Sequence, residues 1–219
     1  MATPFDIRQR VFDRDGAYLE EAGQQYREHL MDRFVASPEG QALLQQQGEE
    51  AGGWAETFVD LGIDYLQVTP PGIRREHQAE ILFELFPRKV SVEPGRGQEI
   101  VQELRAFWAF LKREFGLVNA GARLRELTDA TAGELDRELA NPANFGLAKG
   151  FVMGGLARGF DVATPAGMQA WAEAYNASLA AGAADPPTAV PRAASRAKQR
   201  AAARRKIAQQ SRRRNRKKR

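Results

Sequence analysis

The sequence predicts an all-α fold: an irregular multi-helix domain of seven or eight helices, followed by a basic tail that is disordered or inducibly helical. Two observations carry this prediction. Large apolar residues recur every three to four positions from residue 17 onward, as in Tyr18, Leu19, Tyr26, Leu30 and Phe34. A capping residue followed by proline, which is typical of a helix start, occurs at Ser37-Pro38, Asn141-Pro142 and Thr164-Pro165.

The first half of the chain predicts four helices. The first begins near residue 17, and the second runs from Pro38 to Gln47. The third begins at Trp54, ends near Thr69-Pro70-Pro71, and carries one stripe of large residues, Trp54, Phe58, Leu61 and Tyr65. Residues 72–86 form the fourth, and Pro87 should stop it because proline cannot continue a helix.

Residues 97–115 give the strongest helix prediction. A wide apolar face comprises Ile100, Val101, Leu104, Phe107, Trp108, Leu111 and Phe115. Gly116 is well placed as its C-terminal cap, and we expect this helix at the centre of the fold. The preceding segment RKVSVEPGRG alternates Val90 and Val92 with polar residues but contains Pro94, so it is a loop or a minimal strand.

Further helices are predicted after residue 117. Asn119 could cap ARLREL, Asn141-Pro142 opens a glycine-rich helix, and Thr164-Pro165 opens the last helix. Four glycines in the glycine-rich helix let a neighbouring helix come close, and a ligand crevice is the alternative: Gly150, Gly154, Gly155 and Gly159.

Charge divides the chain into unlike parts. We predict a helical domain over residues 1–180, a Pro/Ala-rich linker over 181–191 and the basic tail over 192–219. The tail holds 14 Lys and Arg and no Asp or Glu. Subtracting them from the totals of 32 and 28 leaves a net charge of −10 on residues 1–191, against +14 on the tail. This asymmetry is typical of a tail that acts through electrostatics.

The basic tail predicts that the protein binds the phosphate groups of RNA or DNA. It has no aromatic residue to stack on bases, so binding should depend on salt and little on sequence. Arg192, Arg196, Arg200 and Arg204 are spaced by four, so a helix induced on binding would align them. The predicted nucleic-acid-binding residues are Arg192, Arg196, Lys198, Arg200, Arg204, Arg205, Lys206, Arg212, Arg213, Arg214, Arg216, Lys217, Lys218 and Arg219.

Two further classes of function stay open. The chain could be a protein-interaction module whose tail binds an acidic partner or its own acidic body, with the helical body as scaffold or docking module. It could also be an enzyme whose site carries no recognisable motif. Gly95-Arg96-Gly97 could face a phosphate at a helix start, but its spacing fits neither nucleotide fingerprint and an ordinary turn is favoured. Arg88 and Lys89 could extend a phosphate surface or complement the helix dipole.

Composition makes other classes improbable. The chain has no cysteine, so disulfides and thiolate chemistry are absent, and its two histidines form only the pairs His29/Asp32 and His77/Glu80. We therefore expect no metal, no cofactor and no enzymatic activity. The N-terminal segment mixes charges with apolar residues, which argues against a signal peptide, and no stretch suits a transmembrane helix. A cytoplasmic protein is the expectation.

Residues 85–117, LFPRKVSV followed by EIVQELRAFWAFLKREFGL after six further residues, resemble an uncharacterised bacterial all-helical domain found in proteins that end in a zinc-binding SEC-C module. The resemblance implies a helical fold and assigns no activity. This chain has no cysteine with which to build the SEC-C zinc site, so the basic tail would stand where those proteins carry a different accessory segment.

Overall fold

The computed structural model describes residues 5–48, 51–92 and 95–181. These residues are predominantly helical, with no strand among them beyond one isolated antiparallel bridge between Phe12 and Tyr18. The all-α prediction is therefore confirmed. The chain divides into two compact units, Met1–Ala140 and Asn141–Arg219. This division falls inside the helical domain predicted over residues 1–180. The linker from residue 182 onward and the whole basic tail lie outside the described residues, so those limits stay predictions.

The first unit contains eight α-helical segments among its described residues. They are α1 (Glu20–Ala36), α2 (Pro38–Gln47), α3 (Gly53–Leu66), α4 (Arg75–Glu80), α5 (Phe86–Lys89), α6 (Gly97–Phe115), α7 (Ala120–Glu126) and α8 (Asp129–Ala140). A π-helical stretch, Ile81–Leu85, joins α4 to α5, so residues 75–89 are one continuous helical run. A 3-10 turn, Pro70–Gly72, follows α3.

The second unit contains a helical hairpin in its described residues. A 3-10 turn, Pro142–Asn144, precedes α9 (Leu147–Ala157), and α10 (Pro165–Ala180) follows. The two units together have ten α-helical segments in the described residues, or nine when 75–89 counts as one, against the predicted seven or eight.

Helix α6 lies at the centre of the first unit, as predicted. Phe107 and Trp108 are fully buried, and their rings contact Phe34 of α1 at 5.2 Å and Phe58 of α3 at 6.1 Å between centroids. The amphipathic spacing of α6 explains this position, because a wide apolar stripe lets several helices, among them α2, α3, α7 and α8, pack around it. Gly116 ends the helix with φ +60°, in the left-handed conformation that glycine adopts most easily.

Two of the three start signals are confirmed as helix caps. The Ser37 hydroxyl accepts a hydrogen bond of 3.1 Å from the Gly40 N–H, and the Thr164 hydroxyl accepts one of 3.1 Å from the Gly167 N–H. Asn141 accepts one of 3.0 Å from the Ala143 N–H, but it caps the 3-10 turn. The helix expected to open at Asn141-Pro142 therefore begins later, at Leu147.

The expectation that Pro87 ends its helix is wrong. The helical run continues to Lys89, and Pro87 is buried within it. Proline normally conflicts with the carbonyl one turn earlier and lacks an N–H donor. Here the preceding π-helical stretch widens the turn, with the Phe86 N–H bonded to the Ile81 carbonyl five residues back. The wider turn relieves the conflict that a regular α-helix would impose at Pro87.

Candidate functional site

The residues predicted to bind nucleic acid all lie outside the described residues. The structure therefore neither brings them together nor separates them: Arg192, Arg196, Lys198, Arg200, Arg204, Arg205, Lys206, Arg212, Arg213, Arg214, Arg216, Lys217, Lys218 and Arg219. The described residues add two pockets in the first unit that sequence reasoning did not find.

The first pocket, here called the arginine groove, has a volume of about 410 Å³ and is formed almost entirely by the segment before α1. That volume lies within the range of roughly 300 to 1,000 Å³ that is usual for ligand pockets. Its lining carries three arginines and one aspartate, a formal charge of +2, and consists of Arg8, Gln9, Arg10, Val11, Phe12, Asp13, Arg14 and Thr69.

Core contacts fix the backbone of this segment. Ile7 and Val11 are buried, the Tyr26 hydroxyl donates a hydrogen bond of 3.1 Å to the Ile7 carbonyl, and the Leu19 N–H donates one of 2.9 Å to the Val11 carbonyl. Burial raises the pKa of the Tyr26 hydroxyl well above its ordinary value, so it remains a donor at neutral pH. The arginines thus project from an anchored backbone.

Two acidic residues beside the groove, Asp6 and Asp13, accept hydrogen bonds from the backbone. Asp6 accepts a hydrogen bond of 2.9 Å from the Arg8 N–H, and Asp13 accepts bonds of 2.8 Å from the N–H groups of Asp15 and Ala17. These are turn contacts that short acidic side chains make readily. The guanidinium groups of Arg8, Arg10 and Arg14 have no ion pair with any described residue.

The second pocket, here called the glutamine pocket, has a volume of about 390 Å³ and lies beside the π-helical stretch. Such stretches are frequent at functional sites. Its polar lining has mixed charge, and the full set is Arg75, Gln78, Ala79, Leu82, Phe83, Arg125, Glu126, Thr128, Thr131 and Glu134.

Gln78 organises the floor of the glutamine pocket. It is 2% exposed, and its amide nitrogen donates to the Arg123 carbonyl at 3.1 Å and to Glu126 at 3.2 Å. The other Glu126 oxygen accepts a hydrogen bond of 2.6 Å from Arg123, whose side chain is almost buried. The Gln78 carbonyl oxygen is buried and has no hydrogen-bond partner among the described residues. These contacts tie α4 to α7, which is a structural role.

The polar groups of the turn before α6 bind to other residues of the protein. The Gly97 N–H donates a hydrogen bond of 2.7 Å to Asp136 of α8, and Arg96 forms an ion pair of 3.0 Å with Glu99. A carboxylate therefore occupies the helix start where the sequence left a phosphate as the alternative, and the structure agrees with the favoured reading of an ordinary glycine turn.

The Arg88-Lys89 pair ends α5, and Lys89 contacts an aromatic ring of α3. Its ammonium lies 4.6 Å from the centroid of the Tyr65 ring. Tyr65, at the C-terminal end of the stripe of large residues on α3, is 49% exposed. The phenol ring gains a cation contact at the surface in place of core burial.

The histidine pairs do not assemble a site. His29 is exposed and contacts the Phe5 ring, while His77 accepts a hydrogen bond of 3.3 Å from the Arg74 N–H through Nδ1. Nowhere in the described residues do three or more His, Asp or Glu side chains come together in a way that could hold a metal ion.

The second unit is built around Trp171. A Cβ added to Gly155 would lie 2.8 Å from Cδ1 of Trp171, and one added to Gly154 would lie 3.4 Å from its Cζ2. Close helix packing at these two glycines is confirmed. Trp171 also contacts the rings of Phe151, Phe160 and Tyr175 and donates a hydrogen bond of 2.9 Å to the Phe151 carbonyl.

Lys149 of α9 is a buried charge that the sequence analysis missed. It is 3% exposed, its ammonium lies 4.3 Å from the centroid of the Phe145 ring, and burial lowers its pKa to about 8. The signal in the sequence is one lysine inside the apolar, glycine-rich run GLAKGFVMGG.

In the described part of the chain, every helix is too short or too polar to cross a membrane. Comparisons of the chain with models of protein families, with curated proteins and with solved structures returned no match.

Proposed function

We propose that the protein binds RNA or DNA through the phosphate backbone, using the Lys and Arg residues of the basic tail, without sequence specificity. The observation that carries the proposal is the charge of residues 192–219, which hold 14 Lys and Arg and no Asp or Glu. Fourteen cations without a neighbouring carboxylate in the sequence have no local partner, and nucleic-acid phosphates supply a dense row of anions.

The chemistry of the tail favours phosphate contact over base reading. Ten of its 14 cationic residues are arginines, whose planar guanidinium groups match phosphate oxygens bidentately. The tail has no Phe, Tyr or Trp with which to stack on bases. The helical units serve as scaffold or protein-docking modules in this proposal. The protein works in the cytoplasm without enzymatic activity or a cofactor, a setting that suits a chain without cysteine.

The acidic remainder of the chain supports a second candidate. Residues 1–191 carry a net charge of −10, so the tail could instead bind its own acidic body or an acidic partner protein. That candidate predicts that nucleic acid competes poorly for the tail.

A truncation tests the proposal. The full-length protein and a variant ending at Val190 are compared for binding to RNA and to duplex DNA over a salt series. We expect strong binding by the full-length protein and little by the variant that ends at Val190. The full-length affinity should fall by roughly a thousandfold or more between 50 and 200 mM salt if six or more phosphates are contacted. Absence of full-length binding at about 50 mM salt would overturn the proposal in favour of the second candidate.

A further inference from the structure

The arginines of the groove have no acidic partner among the described residues, whereas five other arginines of the first unit have one, namely Arg27, Arg33, Arg96, Arg113 and Arg123. Arg27 pairs with Asp60 and Asp64, Arg113 with Glu39 and Glu114, and Arg123 with Glu126. Each of these guanidinium groups finds a carboxylate. Arg8, Arg10 and Arg14 do not, although all three line one pocket.

The local backbone explains why these charges stay uncompensated. Asp6, Asp13 and Asp15 are the nearest acids in the sequence. The Oδ1 atoms of Asp6 and Asp13 accept N–H groups of turns, and none of the three acids forms an ion pair with Arg8, Arg10 or Arg14. Those turns are held to the core through Ile7 and Val11. No described carboxylate pairs with the guanidinium groups of Arg8, Arg10 and Arg14, so these groups are available to an external anion.

We propose that the arginine groove binds the phosphate backbone of the same nucleic acid as the basic tail, so that the first unit contributes contacts of its own. This inference rests on the proposed function and adds a second site to it. Three arginines line this pocket of about 410 Å³, and guanidinium groups suit phosphate oxygens, which they can hold bidentately.

The anchored backbone lowers the entropic cost of binding at this site compared with an arginine on an unanchored segment. A side chain on a fixed segment loses less freedom on binding than one on an unanchored segment, so each phosphate contact costs less entropy. The groove would also fix where a nucleic acid lies on the first unit. Phosphate contacts of this kind set position without reading the sequence.

The test compares two charge-matched triple variants in the full-length chain. R8Q/R10Q/R14Q removes the groove arginines, and R75Q/R125Q/R137Q removes three other exposed arginines that have no ion pair among the described residues. The probes are a duplex DNA and a single-stranded RNA, and binding to each is measured over a salt series. All six residues are exposed, and circular dichroism checks that both variants stay folded.

We expect the groove variant to lower the slope of log affinity against log salt by about 2 to 3 on duplex DNA, and the control variant by less than about 1. The single substitution R10Q should lower it by about 1. Equal losses in both triple variants would overturn the inference, because net charge alone would explain them. If the wild-type chain binds and the groove variant matches it, the inference fails while the proposed function stands. If the wild-type chain does not bind at all, the proposed function fails first.

Discussion

The carboxylate of Glu103, in the middle of α6, accepts a hydrogen bond of 2.6 Å from the backbone N–H of Ala55 in the first turn of α3. Glu103 is fully buried. One turn earlier on α6, Glu99 accepts a hydrogen bond of 2.8 Å from the Trp54 indole. The two acids thus hold the start of α3, where free N–H groups and the helix dipole favour negative charge.

Replacing Glu103 with glutamine should remove a pH dependence of stability. Burial raises the pKa of Glu103 above its ordinary value of 4.5. Hydrogen bonds from backbone N–H groups, that of Ala55 most of all, lower this pKa in part. The folded state therefore holds the proton more tightly than the unfolded state. This contribution to stability is complete below pH 4.5 and is lost as the pH rises through the folded-state pKa.

The free energy of unfolding, measured in urea from pH 4.5 to pH 8, checks this expectation. E103Q should show a smaller fall over that range than the wild type. E134Q, on an exposed residue of α8, controls for the loss of one carboxylate. An E103Q profile that falls as steeply as that of the wild type would contradict the expectation.

Gly97 should not tolerate alanine. An added Cβ would lie 2.5 Å from the Ala132 carbonyl oxygen and 2.8 Å from the Asp136 carboxylate, so we expect G97A to destabilise the protein by about 1–3 kcal/mol. Gly133, in the neighbouring α8, is the matched control. Its nearest neighbour lies 4.0 Å away, so G133A should gain about 0.5–1 kcal/mol from helix propensity. Urea denaturation gives both values, and equal effects of the two substitutions would contradict this packing.

Gly155 and Gly154 form a similar pair in the second unit. An added Cβ at Gly155 would lie 2.6 Å from Val162 and 2.8 Å from Trp171, whereas at Gly154 the nearest atom is 3.4 Å away. G155A should therefore open the hairpin of α9 and α10, and G154A should change it little. Hydrogen exchange of peptides from residues 147–157 reports this directly. Faster exchange in G154A than in G155A would contradict the close packing of Gly155 on Trp171.

Local signals in the sequence predicted much of the fold. Ser37 and Thr164 could be recognised as caps because the residues that they bond lie three positions away. The face of α6 follows from its own spacing. Helix α8 was missed, although Ala132, Leu135 and Leu139 make a buried stripe, because alanine and two leucines give a weak apolar signal.

Contacts between distant parts of the chain could not be predicted. Glu103 and Ala55 are 48 residues apart, and Asp136 and Gly97 are 39 apart, so only the folded chain reveals these pairs. The arginine groove was missed for a similar reason. In the sequence, Arg8, Arg10 and Arg14 are interspersed with aspartates that could neutralise them. Only the structure shows that Asp6 and Asp13 bond to turns and that no described acid pairs with these arginines.

Two full-length tail variants test most directly whether the Lys and Arg residues of 192–219 bind nucleic acid. One has all 14 Lys and Arg replaced by Gln, and the other keeps the composition of the tail in shuffled order. Affinity for RNA and DNA is measured for both at about 50 mM salt and upward. We predict that the shuffled tail keeps the wild-type affinity and salt slope, and that the neutral tail loses most of both. Wild-type affinity in the neutral-tail variant would contradict the claim.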